Sequence, residues 1–389
     1  MANADVVTYN VAVLVTTLFV LEFGADKFID HAAIVVRRTG IPETIVGLLT
    51  AGGEWEELAV VIASLAHRRA SLALGNVVGS AISNILGAFS LGLLCHPGGA
   101  SLEFDRSSRT YTLLLLALTT TILPVIYFPR RSVWQICGAL LVAFFALYIG
   151  SVAWAISRGS LTAPEDSDDD SSDTSSSDSD EIIDPTERTP LYLNGDTDVR
   201  DGSPVFGSSG HLDHVGESTE AAPTRRTGRP RRSLSYHISY LILGFLAICL
   251  SGYVLAHSAT TIIDELGISD VLFGVVVLAI ATTLPEKFVA IVSGSRGHVG
   301  ILVANTAGSN IFLLSLCLGV VMLDTSGDLK RGSVNVAELG VLWTSTLAFT
   351  LTIWIGGRYC RWIGAVMLVG YVAFIVLEFA VIHGIAVDY

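Results

Sequence analysis

Apolar residues run along this chain in long blocks instead of alternating with polar ones. A bilayer core takes about 20 apolar residues of helix. Blocks of that length lie at 6–36, 41–66, 72–95, 111–128 and 133–156, and again at 236–263, 271–293, 299–323, 334–355 and 362–382. The pattern predicts an all-α polytopic membrane protein with ten transmembrane helices, five on each side of a polar stretch. An odd number of spans per half turns the second half upside down, so the count predicts two inverted five-helix repeats, 1–156 and 236–389, joined by 157–235. Arg37 and Arg38, with no small-residue cleavage site, follow the first block, which therefore reads as a retained span.

Composition agrees: 51% of the 389 residues are hydrophobic, 15% are charged, and mean hydropathy is +0.60. These values set the chain apart from soluble globular proteins. The formal net charge of −13 belongs largely to the polar stretch, which runs PEDSDDDSSDTSSSDSDEIID from Pro164 and continues rich in Gly, Ser, Thr and Pro. Such a segment cannot bury enough apolar surface to offset its ordering entropy and is expected to be a disordered loop. Its simplest reading is a solvated tether. Serines followed three positions later by an acid, such as Ser175 before Asp178, would suit kinases, and Arg225, Arg226, Arg229, Arg231 and Arg232 would suit anionic lipid headgroups. With the amino terminus outside, the inner loops hold Arg37, Arg38, Arg106, Arg109, Arg296, Arg358 and Arg361, which favours a cytosolic central loop. Five cysteines without paired spacing indicate neither a disulfide framework nor a zinc site.

The chemistry lies in an internal repeat. Gly75-Asn76-Val77-Val78-Gly79-Ser80 recurs as Ala304-Asn305-Thr306-Ala307-Gly308-Ser309, and Glu57 precedes Asn76 by the same interval that separates Glu286 from Asn305. Asn76, Ser80 and Asn84 are four apart and share one helix face, as do Asn305 and Ser309. Thr282 and Thr283 lie four and three residues before Glu286, which puts their hydroxyls on its side. Pro285 lacks an amide proton and frees the Ala281 carbonyl, while Gly52-Gly53 loosens the helix at the comparable place in the first half. A carboxylate near mid-bilayer is costly, so one in each half points to an ion pathway. Ca²⁺ takes six to eight oxygens from carboxylates, carbonyls, amides and water. Gly75, Gly79 and Gly308 read as close-packing positions, and the asparagines also read as interhelical hydrogen-bond partners.

The paired elements GEWEEL with GNVVGSAISN, and TTLPEKF with ANTAGSNIF, resemble the alpha-repeats of the cation/Ca²⁺ antiporter superfamily, which includes the sodium/calcium exchangers. The resemblance implies ten helices, a site between spans two, three, seven and eight, and alternating access by sliding of the first and sixth spans. It implies Glu57 and Glu286 as main Ca²⁺ ligands, with Asn84, Ser80, Ser309, Thr282 and Thr283 completing ion sites. Gly24-Ala25-Asp26 resembles a feature of the sliding helix. Several positions depart from the pattern: Gly53 and Glu54 replace a threonine and a serine, Glu56 replaces a proline, and Leu313 stands opposite Asn84 in place of Asp or Asn. Glu54, three residues from Glu57, is a candidate ligand or proton acceptor; Glu56 reads as vestibular, and Lys287 has no role in the pattern.

The expected function is secondary active antiport of Ca²⁺ against Na⁺ or H⁺, without a cofactor and without a nucleic-acid partner. A cation channel, or an exchanger for Na⁺/H⁺, K⁺ or Mn²⁺, is the alternative. An enzyme is not expected, because no Ser/His/Asp or metal-type spacing occurs and His31 and His257 stand isolated. Glu187-Arg188-Thr189-Pro190-Leu191 resembles an acidic dileucine-type sorting signal and favours a vacuolar or lysosomal endomembrane over the plasma membrane.

Overall fold

The computed structural model describes residues 3–38, 54–97, 104, 106–128, 130–157, 233–324, 334–355 and 359–382. The central loop, with its serines, arginine cluster and sorting motif, lies outside the described residues, as do Gly52, Gly53 and Arg358. The described chain is helical: α1 (Ala4–Arg38), α2 (Trp55–Ala66), α3 (Ala70–Cys95), α4 (Arg106–Tyr127) and α5 (Arg131–Ser157) precede the loop. After it come α6 (Leu234–Leu266), α7 (Asp270–Thr282), α8 (Leu284–Ser295), α9 (Val299–Leu323), α10 (Val336–Ile355) and α11 (Cys360–Leu377). Among the described residues eight helices are long and apolar enough to cross a membrane, or nine when α7 and α8, bent by 48° at their junction, count as one span. Of the expected span at 41–66, the helix is described only as α2.

The bend has a local cause. Thr283 leaves helical geometry at φ −93° and ψ 19°, and Pro285 sits in the first turn of α8, where its missing N–H costs nothing. Helices α3 and α9 each pass through a π-helical stretch, at Ser83–Phe89 and Leu313–Cys317. Such widened turns are frequent where helices carry function.

Helix α3 is the axis of the molecule: 89% of its apolar window is buried, and 78% of that of α9, against 11% for α5 at the periphery. Close approach makes this possible. A Cβ at Gly75 would lie 2.9 Å from the Val271 carbonyl of α7, one at Gly79 would collide with the Val275 backbone, and one at Gly274 would lie 2.8 Å from the Asn76 amide. Small residues let backbones meet where lipid offers no hydrophobic drive for helix association. Gly308 departs from the expected symmetry, since nothing lies within 4 Å of a Cβ built there. The two long helices cross the same way, with a Cβ at Gly244 falling 2.9 Å from the Gly24 carbonyl. Together α1 and α6 build most of a second apolar cluster, including Leu14, Leu21, Ile248, Leu255 and Ile262, which also takes in Val60 of α2, Leu72 of α3 and Phe273 of α7.

Matching turns precede the central helices. Amides of His67, Arg68 and Arg69 bond to Ala63, Leu65 and Ser64, and those of Arg296, Gly297 and His298 bond to Val292, Gly294 and Ser293 in the same order. Their middle residues, Arg68 at φ 59° and Gly297 at φ 75°, are both left-handed. Arg69 then clamps the first turn, bonding Asp264 at the end of α6 at 2.6 Å and buried Asp270 at the start of α7 at 3.0 Å.

Gly79→Val should lower stability by about 1–3 kcal/mol, the usual cost of overpacking, while Gly308→Ala is tolerated. Thermal unfolding of both purified variants in detergent reads the contrast, and equal loss in the two would contradict it.

Candidate ion site

The site begins with Glu57, in the first turn of α2, which is 1% exposed. Both of its oxygens are held by α3: Ser80 donates to Oε1 at 2.8 Å and Asn76 donates to Oε2. The four-residue spacing of Asn76 and Ser80 delivers both donors to one carboxylate, because residues four apart share a helix face. Thr282, whose hydroxyl donates to the Leu278 carbonyl at 3.0 Å, also lies against Glu57. That hydroxyl thus serves the acid of the opposite half, although its spacing pointed to Glu286.

Glu54 sits just before α2 and is 4% exposed. Asn84, one turn beyond Ser80 on α3, donates to its Oε1 over 3.4 Å, and Ser309 of α9 lies beside it. Glu286 occupies the first turn of α8 and is 8% exposed. Glu54, Glu57 and Glu286 stand within electrostatic reach of one another. Glu56 is also buried, near Glu286 and Glu22, and is not the solvent-facing vestibular residue that the sequence suggested. Asn305 is only half-buried and joins none of these acids through a hydrogen bond that the geometry records, so the repeat is asymmetric at this position.

Thr283 belongs to a second polar group. Its hydroxyl donates to the Ala279 carbonyl at 2.6 Å and lies 2.8 Å from the Ser83 hydroxyl. Lys287 donates to that hydroxyl, to the Thr283 carbonyl and to Ser83, and Tyr371 of α11 donates to Ser83 at 2.8 Å. Sequence reasoning missed Ser83, which stands inside GNVVGSAISN but beyond its six-residue match to the second half, and Tyr371, which lies outside both elements. The charge of Lys287 inside an apolar block was the available signal. Sequence reasoning also missed Asn310, fully buried on α9, whose amide donates to the Thr306 carbonyl at 2.7 Å.

Several buried oxygens in the site make no hydrogen bond: Oε2 of Glu54, Oε2 of Glu286, and Oδ1 of Asn76 and Asn84. All are acceptors. Buried polar atoms left unpaired are costly and rare, and a convergent set of acceptors is what a hard cation coordinates. Among the described residues no group of three His, Cys, Asp or Glu has the geometry of a resident metal site. His31 and His237 meet at 3.0 Å between α1 and α6, and His257 lies near His67, so the expected isolation of His31 and His257 does not hold.

Buried acids of both halves, facing amide and hydroxyl oxygens inside a bundle of membrane helices, define an ion-transport protein. The sodium/calcium exchanger protein family model matches residues 9–156 and 236–380, and the chain belongs to that family. It is similar to the sodium/calcium exchanger MaX1 of Methanosarcina acetivorans, 25% identical over 96% of this chain and 99% of the relative. It is also similar to the inner membrane protein YrbG of Escherichia coli, 23% identical over 88% of each chain. Among solved structures, native YfkE aligns with a TM-score of 0.61 at 14% identity over 96% of this chain and 92% of that one. The sodium-calcium exchanger NCX_Mj, soaked with Na⁺ and Sr²⁺, aligns with a TM-score of 0.51 at 20% identity over 95% and 98%. These structures share the fold.

Removing the hydroxyl in Ser80→Ala takes away a hydrogen bond to a charged group, worth about 1.5–3 kcal/mol. The expected result is a fold less stable by about that amount. Asn305→Ala should cost less than about 1 kcal/mol, because a half-buried residue without a bond to the acids contributes little of that energy. Thermal unfolding of the purified variants in detergent compares the two, and equal losses would contradict the asymmetry.

Proposed function

We propose that this protein is a secondary active antiporter that moves Ca²⁺ against Na⁺ or H⁺ by alternating access, with Glu57 and Glu286 as its central ligands. The observation that carries this reading is the set of unpaired acceptor oxygens on Glu54, Glu286, Asn76 and Asn84, gathered at the acids of both halves. Ca²⁺ would satisfy them with carboxylate and amide oxygen while its two charges offset the acids. Thr282 and Ser309, lying against Glu57 and Glu54, would supply further oxygens. The repeated motif and the matching turns support two inverted five-helix halves, and the name of the relative MaX1 supports Na⁺ and Ca²⁺ as exchanged ions.

The extensive packing of α1 on α6, with close approach at Gly24 and Gly244, supports their movement as one unit. Close glycine crossings at Gly75, Gly79 and Gly274 would keep α3 and α7 together as the fixed body meanwhile. The departures at Glu54 and Leu313 bear on the counter-ion. Glu54 adds a second titratable acid three residues from Glu57, which favours H⁺, while the family favours Na⁺. The residues 157–235 are read as a cytosolic tether open to kinases and anionic lipid, and the motif at Glu187 and Leu191 supports a vacuolar or lysosomal endomembrane.

Glu57→Gln and Glu286→Gln keep side-chain volume and remove one charge each. Either variant should lose ⁴⁵Ca²⁺ uptake into proteoliposomes by about a hundredfold or more, the loss of roughly 3 kcal/mol that a buried charge interaction carries. Uptake at the wild-type rate in either variant removes that glutamate from the site. Deletion of residues 163–222 should leave the exchange rate within about twofold, since a segment without a core contributes no packing; loss of flux from a correctly inserted deletion protein would give the loop a transport role.

A further inference from the structure

Lys287 follows Glu286 directly and reaches from α8 across to α3. Its ammonium donates to Thr283 Oγ1 at 2.5 Å, Ser83 Oγ at 2.9 Å and the Thr283 carbonyl at 3.1 Å. Both hydroxyl protons are committed elsewhere, so toward Lys287 these oxygens only accept. Thr283 gives its proton to the Ala279 carbonyl, which leaves Ser83 to donate toward Thr283 while it accepts from Tyr371. Gly87 makes the room: a Cβ there would lie 3.3 Å from Lys287 Cε and 3.4 Å from the Tyr371 ring. Two hydroxyls and a broken-helix carbonyl, contributed by both halves, are the neutral oxygen ligands that suit a monovalent cation in a membrane.

The acids within electrostatic reach of this ammonium are Glu286, Glu57 and Glu54. The ammonium's fixed charge is part of the balance that the transported cations complete.

We propose that the Lys287 ammonium is a built-in monovalent cation of the transport site, lodged where a free cation would otherwise bind, and that it lowers by one the number of counter-cations exchanged per Ca²⁺. The inference rests on the antiport reading above. It makes Lys287 a specificity-determining residue that travels with the protein and is never exchanged. A lysine that only braced the bundle would affect stability and rate and leave the number of charges moved per cycle unchanged.

The test is the equilibrium distribution of Ca²⁺ in proteoliposomes of the full chain, under a fixed gradient of whichever counter-cation, Na⁺ or H⁺, drives uptake. Valinomycin and K⁺ set the membrane potential. The dependence of the wild-type ratio on potential reads the net charge moved per cycle. For Lys287→Met, which keeps the length and removes the charge, one more cation should enter the oxygen cage. Its ratio should then shift by a further factor of about ten for every 59 mV, the factor for one net charge. Lys287→Arg, which keeps the charge, should match the wild type. An active Lys287→Met whose ratio follows potential as the wild type's does, or a Lys287→Arg that moves an extra charge, overturns the proposal. Should Lys287→Met fail to insert, Lys287→Gln gives the same reading. Absence of Ca²⁺ movement in the wild type under either gradient would overturn antiport itself, which separates that failure from failure of the lysine's part.

Discussion

Buried negative charge is the constraint from which the rest of this structure follows. Glu54, Glu56, Glu57 and Glu286 are all less than a tenth exposed inside a bundle of apolar helices, where each ionised carboxylate costs several kcal/mol. The chain answers with donors. Asn76 and Ser80 fix both oxygens of Glu57, Asn84 reaches Glu54, and Lys287 brings a positive charge to the same region. These groups offset part of the charge and hold the carboxylates in place. A divalent cation, on the proposed reading, offsets the remainder for the part of the cycle in which it is bound.

The helix framework serves the same end. Bringing Asn76 and Ser80 against Glu57 requires α3 at the centre of the bundle, and glycines at 75, 79 and 274 allow α7 to cross it at backbone contact. The break at Thr283 then turns α8 so that Glu286 and Lys287 both come from its first turn. Arg69 ties the turn before α3 to Asp264 and Asp270, anchoring adjacent ends of three helices in one ion pair network. With Gly308 facing open space, α9 lacks the corresponding crossing, and Asn305 stays half-buried.

Much of this was legible in the sequence. The helix expected at 299–323 coincides with α9, and most other observed ends fall within a few residues of the apolar blocks, because length and hydropathy alone fix what can span lipid. The repeat marked Glu57, Asn76 and Ser80, which do meet, since four-residue spacing determines a helix face. Spacing could not show which partner lies across an interface. Thr282 and Thr283 share a helix with Glu286, yet one lies against Glu57 and the other joins Lys287 and Ser83. Tyr371 is nearly three hundred residues from Ser83 along the chain and carried no local signal. Gly79 and Gly308 occupy matching motif positions and differ in surroundings, because a one-dimensional repeat does not record what packs against each position.

The central claim, that acids of both halves share one transported ion, is tested most directly by an experimental structure of the protein soaked with Sr²⁺ and read by anomalous diffraction. One ion should lie within about 2.3–2.6 Å of a carboxylate oxygen of Glu57 and of Glu286, the range for oxygen ligands of Ca²⁺, with Lys287 still on Ser83 and Thr283. An ion bound away from both glutamates, or one held by a single half, would contradict the claim.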